Sequence, residues 1–194
     1  MVLDIYEADY YTTSEETVSI DMSAHDKLKV LVKTELGDFS VELYPSKAPV
    51  TVENFLRYVD EGLYDGTTFS RTVTMENQPN NEVKIEVIQG GMVAKEIAYP
   101  PIEHETTDMI GLKHLEGTIS MARGKPGSAT ASFFLCLRDE PELDYGGQRN
   151  KDGQGFSAFG MVTEGMDVVR EIHKQPYDGQ RLVHPVEIIS IRRV

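Results

Sequence analysis

A chain of 194 residues has room for one domain with a sizeable core, or for a domain plus an appendage. Its 40% hydrophobic and 26% charged residues are ordinary for a globular protein, and no run of about 18 apolar residues suggests a membrane span. Nineteen basic against 32 acidic residues leave −13 at pH 7, a field that repels phosphate backbones, so neither nucleic acid nor an anionic membrane is expected as a partner.

In chain order, residues 1–27 read as an acidic N-terminal arm, with Asp4, Glu7, Asp9, Glu15, Glu16, Asp21 and Asp26 and no basic start or apolar stretch. A signal peptide is not expected from such a segment. The arm could stay disordered or add a strand to this or another copy, and the sequence does not choose. From Leu28 onward a single domain is expected, residues 28–194. Leu28, Val30 and Val32 alternate, Gly37–Asp38 turns the chain, and Phe39, Val41 and Leu43 alternate again, which predicts a hairpin. Pro49 suits a first helical turn. Val52, Phe55, Leu56 and Val59 follow at helical spacing, with Gly62 as the stop.

LYDGTTFSR reads as a turn and a strand ending at Arg71, Met75–Asn81 as a polar loop, and Val83–Gly91 as a strand closing on two glycines. Met92 to Glu116 reads as a long surface loop. Thr118–Ala122 and Ser132–Leu137 read as strands joined by a Gly-, Ser- and Pro-rich connection, and the second carries Phe133 and Phe134 side by side. Neighbouring strand residues face opposite ways, so one ring can enter a core while the other lines the opposite face. Arg138 to Phe156 is a second long loop. Phe159–Val162 is a strand, Glu164–Lys174 a short helix with Met166, Val169 and Ile172 inward, and the last residues from His184 form a final strand. Many short strands with two distant helices predict a mainly β domain, a closed or nearly closed sheet whose ends the helices plug.

The usual chemistry-bearing patterns are missing. The five histidines (25, 104, 114, 173, 184) are scattered without ligand spacing, so no metal and no cofactor are expected. No G-x-S-x-G elbow exists, and Cys136, the single cysteine, lies mid-strand without an adjacent base. One cysteine allows no intrachain disulfide, in keeping with an expected cytoplasmic location. Ser120 and Ser132 read as strand hydroxyls satisfied by backbone. Gly124–Lys125 lacks the glycine spacing and following Ser or Thr of a phosphate loop.

What remains is a group of residues at strand edges, Arg71, Gln89, Phe134 and Leu143. APVTVENFLRYVDEGLYDGTTFSR, IQGG, GTISMARGKPGSATASFFL and FGMVTEGMDVV occur in the order characteristic of the cyclophilins, peptidyl-prolyl cis-trans isomerases, and over residues 28–194 the chain resembles a divergent, bacterial-like member. The resemblance implies an eight-stranded antiparallel closed barrel capped by two short helices. It implies Arg71 as the catalytic arginine and Gln89 as the glutamine that binds substrate backbone and steadies it. It places Phe134 at the floor of a proline pocket, with Leu143 on its wall and Ala122 beside it. Arg123 falls where the family commonly has Asn.

Other positions depart from the family pattern. Glu86 and Val87 replace a Phe–Met pair, Ser132 stands for Gln, Glu142 for the loop Trp and Phe156 for a His. Val87 and Phe156 still offer apolar wall, whereas Glu86 and Glu142 suggest an acidic rim and a preference for basic residues near the proline. The expected function is acceleration of X–Pro isomerisation in peptides and unfolded chains. The alternative is a catalytically weak module of the same fold that binds Pro-containing segments of a partner. The sequence gives no oligomeric state.

Overall fold

Alternation of apolar residues builds the first hairpin as expected. Leu28–Thr34 (β1) pairs with Gly37–Leu43 (β2) so that Val30 faces Val41 and Val32 faces Phe39, all buried. The structure, a computed structural model, describes residues 27–91 and 99–194. The expected acidic arm, apart from Lys27, and residues 92–98 of the expected surface loop lie outside the described residues.

Helix α1 (Pro49–Asp60) starts on its proline and buries Val52, Phe55, Leu56, Tyr58 and Val59. Ala48 supplies no side-chain cap there. The Glu105 carboxylate does so from far along the chain, accepting from the Val50 and Thr51 amides at 3.1 and 2.8 Å. An anion at a helix N-terminus satisfies orphan N–H groups and complements the helix dipole. The segment around Glu105 is therefore anchored rather than a loose surface loop. Ile102 N–H donates to the Ala129 carbonyl, and a one-turn helix α2 (Thr107–Ile110) ends at Gly111.

The remaining strands are β3 (Thr67–Val73), β4 (Val87–Gly90), β5 (Thr118–Met121), β6 (Phe133–Cys136), β7 (Ser157–Glu164), the two-residue β8 (Tyr177–Asp178) and β9 (Arg181–Arg193). Their order is β1-β2-β7-β5-β6-β4-β3-β9, and β9 pairs back onto β1. This closes an eight-stranded antiparallel barrel, to which β8 adds only a hairpin turn on β9. Closure leaves no free sheet edge within the ring. Helix α3 (Met166–His173) brings Val169 and Ile172 into the same core as the inward residues of α1. None of the described helices is long and apolar enough to cross a membrane.

One strand is shorter than its sequence predicts. Val83 to Glu86 continue the alternation into β4, but side chains take their backbone groups. The Gln78 amide bonds both the N–H and the carbonyl of Ile85, Glu140 accepts from the Glu86 N–H, and Arg149 donates to the Val83 carbonyl. Of the backbone bonds that would extend the strand, the Glu86 carbonyl keeps one, from the Leu137 N–H at 2.9 Å, and side chains take the others named here.

The two adjacent phenylalanines divide as alternation requires. Phe133 is wholly buried in the barrel core, edge-on to Phe55, Tyr64 and Phe69. Phe134 belongs to a second, smaller apolar cluster on the outer face, with Val73, Ile85, Val87, Cys136 and Leu143. That outer cluster positions the site.

Candidate active site

The site is a row across four strands. Arg71 on β3 is the register partner of Gln89 on β4, Gln89 of Phe134 on β6, and Phe134 of Ser120 on β5. Residues directly opposite in antiparallel strands share a face. Placing Arg71 on this face needs a local irregularity, because Phe69 and Arg71, two apart, share a face in a regular strand. The ladder steps from Phe69–Gly90 directly to Arg71–Gln89, leaving Ser70 as an extra residue. This β-bulge lets Phe69 point into the core while Arg71 turns outward.

The Arg71 guanidinium is held by two neutral amides. Nη1 donates to Gln89 Oε1 at 2.7 Å; Nε and Nη2 donate to Gln180 Oε1 at 3.0 and 2.6 Å. Gln180 is itself fixed, its Nε2 donating to the Asn77 carbonyl at 3.2 Å and its own carbonyl accepting from Thr72 N–H at 3.0 Å. Among the described residues no carboxylate forms an ion pair with Arg71. Burial pushes its pKa down from the ordinary value. The group is thus oriented without having its charge neutralised, and its remaining N–H groups are free for a ligand.

Beside it lies a cavity of about 410 Å3. Arg71, Val87, Gln89, Ala122, Arg123, Ser132, Phe134, Leu143 and Phe156, named from the sequence, all line it. Leu143 is fully buried on a single 3-10 turn, Pro141–Leu143, and the Phe156 ring meets Phe134 edge-on at 5.3 Å. Arg123 is committed elsewhere. It bonds both Asp152 oxygens and the Gly155 carbonyl, and its guanidinium lies 5.1 Å from the Phe156 ring centre. This bidentate pair, with the Gln154 N–H, holds the Asp152 pKa at about 2. It lashes the long loop before β7 against the cavity wall.

Two residues expected at the rim lie elsewhere. Glu142 and Glu86 are not part of the cavity lining. The Glu142 carboxylate accepts from the Gln148 N–H at 2.8 Å, and Glu86 pairs with Arg138 at 3.5 Å. The expected acidic rim is therefore absent from the lining, which carries three arginines and no carboxylate.

Behind the floor sits a network that sequence reading missed. His114, 1% exposed, stacks on Phe134 at 6.0 Å with the planes 13° apart. Its Nδ1 is 2.8 Å from Asp144 Oδ1, and its Nε2 2.9 Å from Ser120 Oγ. Asp144 as a carboxylate only accepts, which places a proton on Nδ1 and leaves Nε2 to pair with the Ser120 hydroxyl. Burial works to raise the Asp144 pKa, but hydrogen bonds from the His114 ring and backbone outweigh it and bring it below the usual range. Ser120 is thus satisfied by a side chain, not by backbone as expected. The arrangement has the order of a hydrolase triad, yet Ser120 is completely buried and no substrate can reach it. It braces the floor.

Gln180, Arg149 and Asn150 also escaped the sequence reading. The Asp178–Gly179 turn was a legible hairpin signal, but nothing local shows that the next residue reaches Arg71. Cys136 is buried behind the cavity, and burial, with nearby acids, raises its pKa well above the usual thiol range. Among the described residues no cluster of three or more His, Cys, Asp or Glu could hold a metal.

A closed antiparallel barrel carrying the Arg71–Gln89 pair beside the Phe134 pocket is the arrangement to compare with known families. Residues 29–193 match the family described as cyclophilin type peptidyl-prolyl cis-trans isomerase/CLD, and the chain belongs to it. A peptidyl-prolyl cis-trans isomerase of Acinetobacter baylyi is 36% identical over 179 residues, covering 88% of this chain and 89% of that one. Peptidyl-prolyl cis-trans isomerase B of Escherichia coli is 36% identical over 148 residues, covering 74% and 82%. A solved cyclophilin type peptidyl-prolyl cis-trans isomerase of Cryptosporidium parvum superposes with a TM-score of 0.70 at 22% identity, covering 87% of this chain and 98% of that one. The same parasite protein has also been crystallised in the presence of the dipeptide Ala-Pro.

Proposed function

We propose that this isomerase acts on X–Pro bonds of peptides and unfolded chains through Arg71, with Gln89 as its support and Phe134, Leu143, Val87 and Phe156 as the seat of the proline ring. An X–Pro bond isomerises over a barrier of roughly 18–20 kcal/mol set by amide resonance. As the bond twists, resonance is lost and the prolyl nitrogen regains a lone pair. A guanidinium N–H held beside that nitrogen is accepted well only in the twisted state, so its hydrogen bond lowers the barrier rather than merely binding substrate. No covalent bond breaks, and no metal or cofactor is called for. Ala122, Ser132 and the Arg123 backbone would contact the flanking peptide.

The observation that carries this reading is the hold on Arg71. Two neutral amide oxygens orient the guanidinium and no carboxylate pairs with it among the described residues, so donors remain for the substrate. The test is a prolyl cis-trans exchange assay on a short peptide with wild type and Arg71→Ala. A loss of kcat/KM of at least about tenfold, equivalent to ~1.4 kcal/mol, is expected. Equal rates from two folded proteins would refute the role of Arg71. The residues of the barrel domain and of the arm are further proposed to act separately, 28–194 carrying the activity and 1–27 an appendage.

A further inference from the structure

The wall of the cavity opposite to expectation is cationic, and it is not spoken for. Arg149 and Asn150 both line it, on the loop that Arg123 and Asp152 lash down. The backbone there is fixed, since Arg149 N–H donates to the Glu142 carbonyl at 3.1 Å. Arg149 gives one N–H to the Val83 carbonyl at 2.6 Å and makes no ion pair among the described residues. Asn150 Nδ2 is buried without a hydrogen-bond partner. A buried donor left without an acceptor costs about 1–3 kcal/mol, which an acceptor supplied by a ligand would recover. Nearby, Arg71 retains free donors as well. The cavity lining holds three guanidiniums and no carboxylate, inside a protein of net charge −13.

We propose that Arg149 and Asn150 form an anion subsite beside the proline seat, and that the protein prefers substrates with a carboxylate side chain adjacent to the proline. This deepens the isomerase reading above and rests on it. A carboxylate accepts from a guanidinium in the bidentate geometry and has capacity left for the Asn150 amide. Burial first, and then the neighbouring Arg71 charge, push the Arg149 pKa down against the opposing effect of Glu140, and an anion between the two guanidiniums would relieve their repulsion. The overall negative charge opposes an acidic peptide at long range. The charged groups that line the cavity are all guanidiniums, and they prevail because screening removes contributions beyond about 8–10 Å. The preference is opposite in sign to that suggested by Glu86 and Glu142 in the sequence.

The test uses the full chain and acetylated, amidated peptides with Glu, Gln or Lys placed immediately before or immediately after the proline. A further peptide carries a free C-terminal carboxylate and no acidic side chain. Exchange rates give kcat/KM, and chemical-shift titration gives Kd. In one of the two positions Glu is expected to exceed Gln by about tenfold and Lys by more, and Arg149→Gln to bring the Glu/Gln ratio close to one. Arg149→Lys retains part of the preference. Equal values for Glu and Gln at both positions, or Arg149→Gln lowering both peptides alike, would overturn the subsite. So would a gain confined to the peptide with the terminal carboxylate. Tighter, Arg149-dependent binding of the Glu peptide without acceleration of any peptide would keep the subsite and overturn the isomerase reading instead.

Discussion

The sharpest consequence of the site's construction concerns Gln180, a residue that need not touch substrate. Gln180→Ala removes the acceptor of two of the three hydrogen bonds that hold the Arg71 guanidinium. Hydrogen bonds to charged groups contribute roughly 1.5–3 kcal/mol each, but Arg71 is only part-buried and water will replace much of that. What water cannot replace is direction: with Nε and Nη2 freed, the orientation of the other donors in the cavity is no longer fixed. A residual loss of about 1.4 kcal/mol in the twisted state corresponds to a tenfold fall in kcat/KM. On the mechanism proposed above, in which the contact is made best in the twisted state, the fall belongs in kcat more than in KM. Prolyl exchange over a range of peptide concentrations separates the two, with urea denaturation to confirm that the variant is folded. A folded Gln180→Ala protein with wild-type kcat would show that Gln89 and the strand alone suffice to aim the arginine.

Two further outcomes are expected. Phe133→Ala empties a fully buried ring site in the barrel core and should cost about 3–5 kcal/mol by urea denaturation, whereas Phe134→Ala should cost less stability and more activity. If the two variants lose stability equally with activity intact, the division of the pair between core and pocket is wrong. The Asp152 carboxylate, with its pKa lowered to about 2 by Arg123, lends its grip to the loop fully above pH 4, its unfolded value being 3.8. That grip is lost as pH falls from about 4 through 2. A carboxylate NMR titration should find its midpoint well below that of an exposed aspartate; a midpoint near 3.8 would show the pair absent in solution.

Much of the barrel was open to inspection in the chain because it depends on short-range rules. Alternation at Val30, Val32, Phe39 and Val41 and helical spacing from Val52 to Val59 are local consequences of where side chains point, and they placed the first hairpin and α1 correctly. The adjacent Phe133 and Phe134 announced two faces by the same rule. Where backbone groups found distant side-chain partners the rule failed. Val83–Glu86 carry a strand pattern but are held by Gln78, Arg149 and Glu140.

The order of residues along the chain therefore determined the class of fold and singled out Arg71 and Phe134, both of which line the cavity, since period and motif survive without knowledge of neighbours. Tertiary structure alone decided how they work together. An extra residue at Ser70 turns Arg71 outward, Gln180 arrives from a turn 109 positions away to orient it, and Glu142 spends its charge on its own loop while Arg149 faces the cavity. The physical reason is that charge and hydrogen bonding act over a few ångströms of space, whatever the separation in sequence. No periodicity records which distant groups will meet.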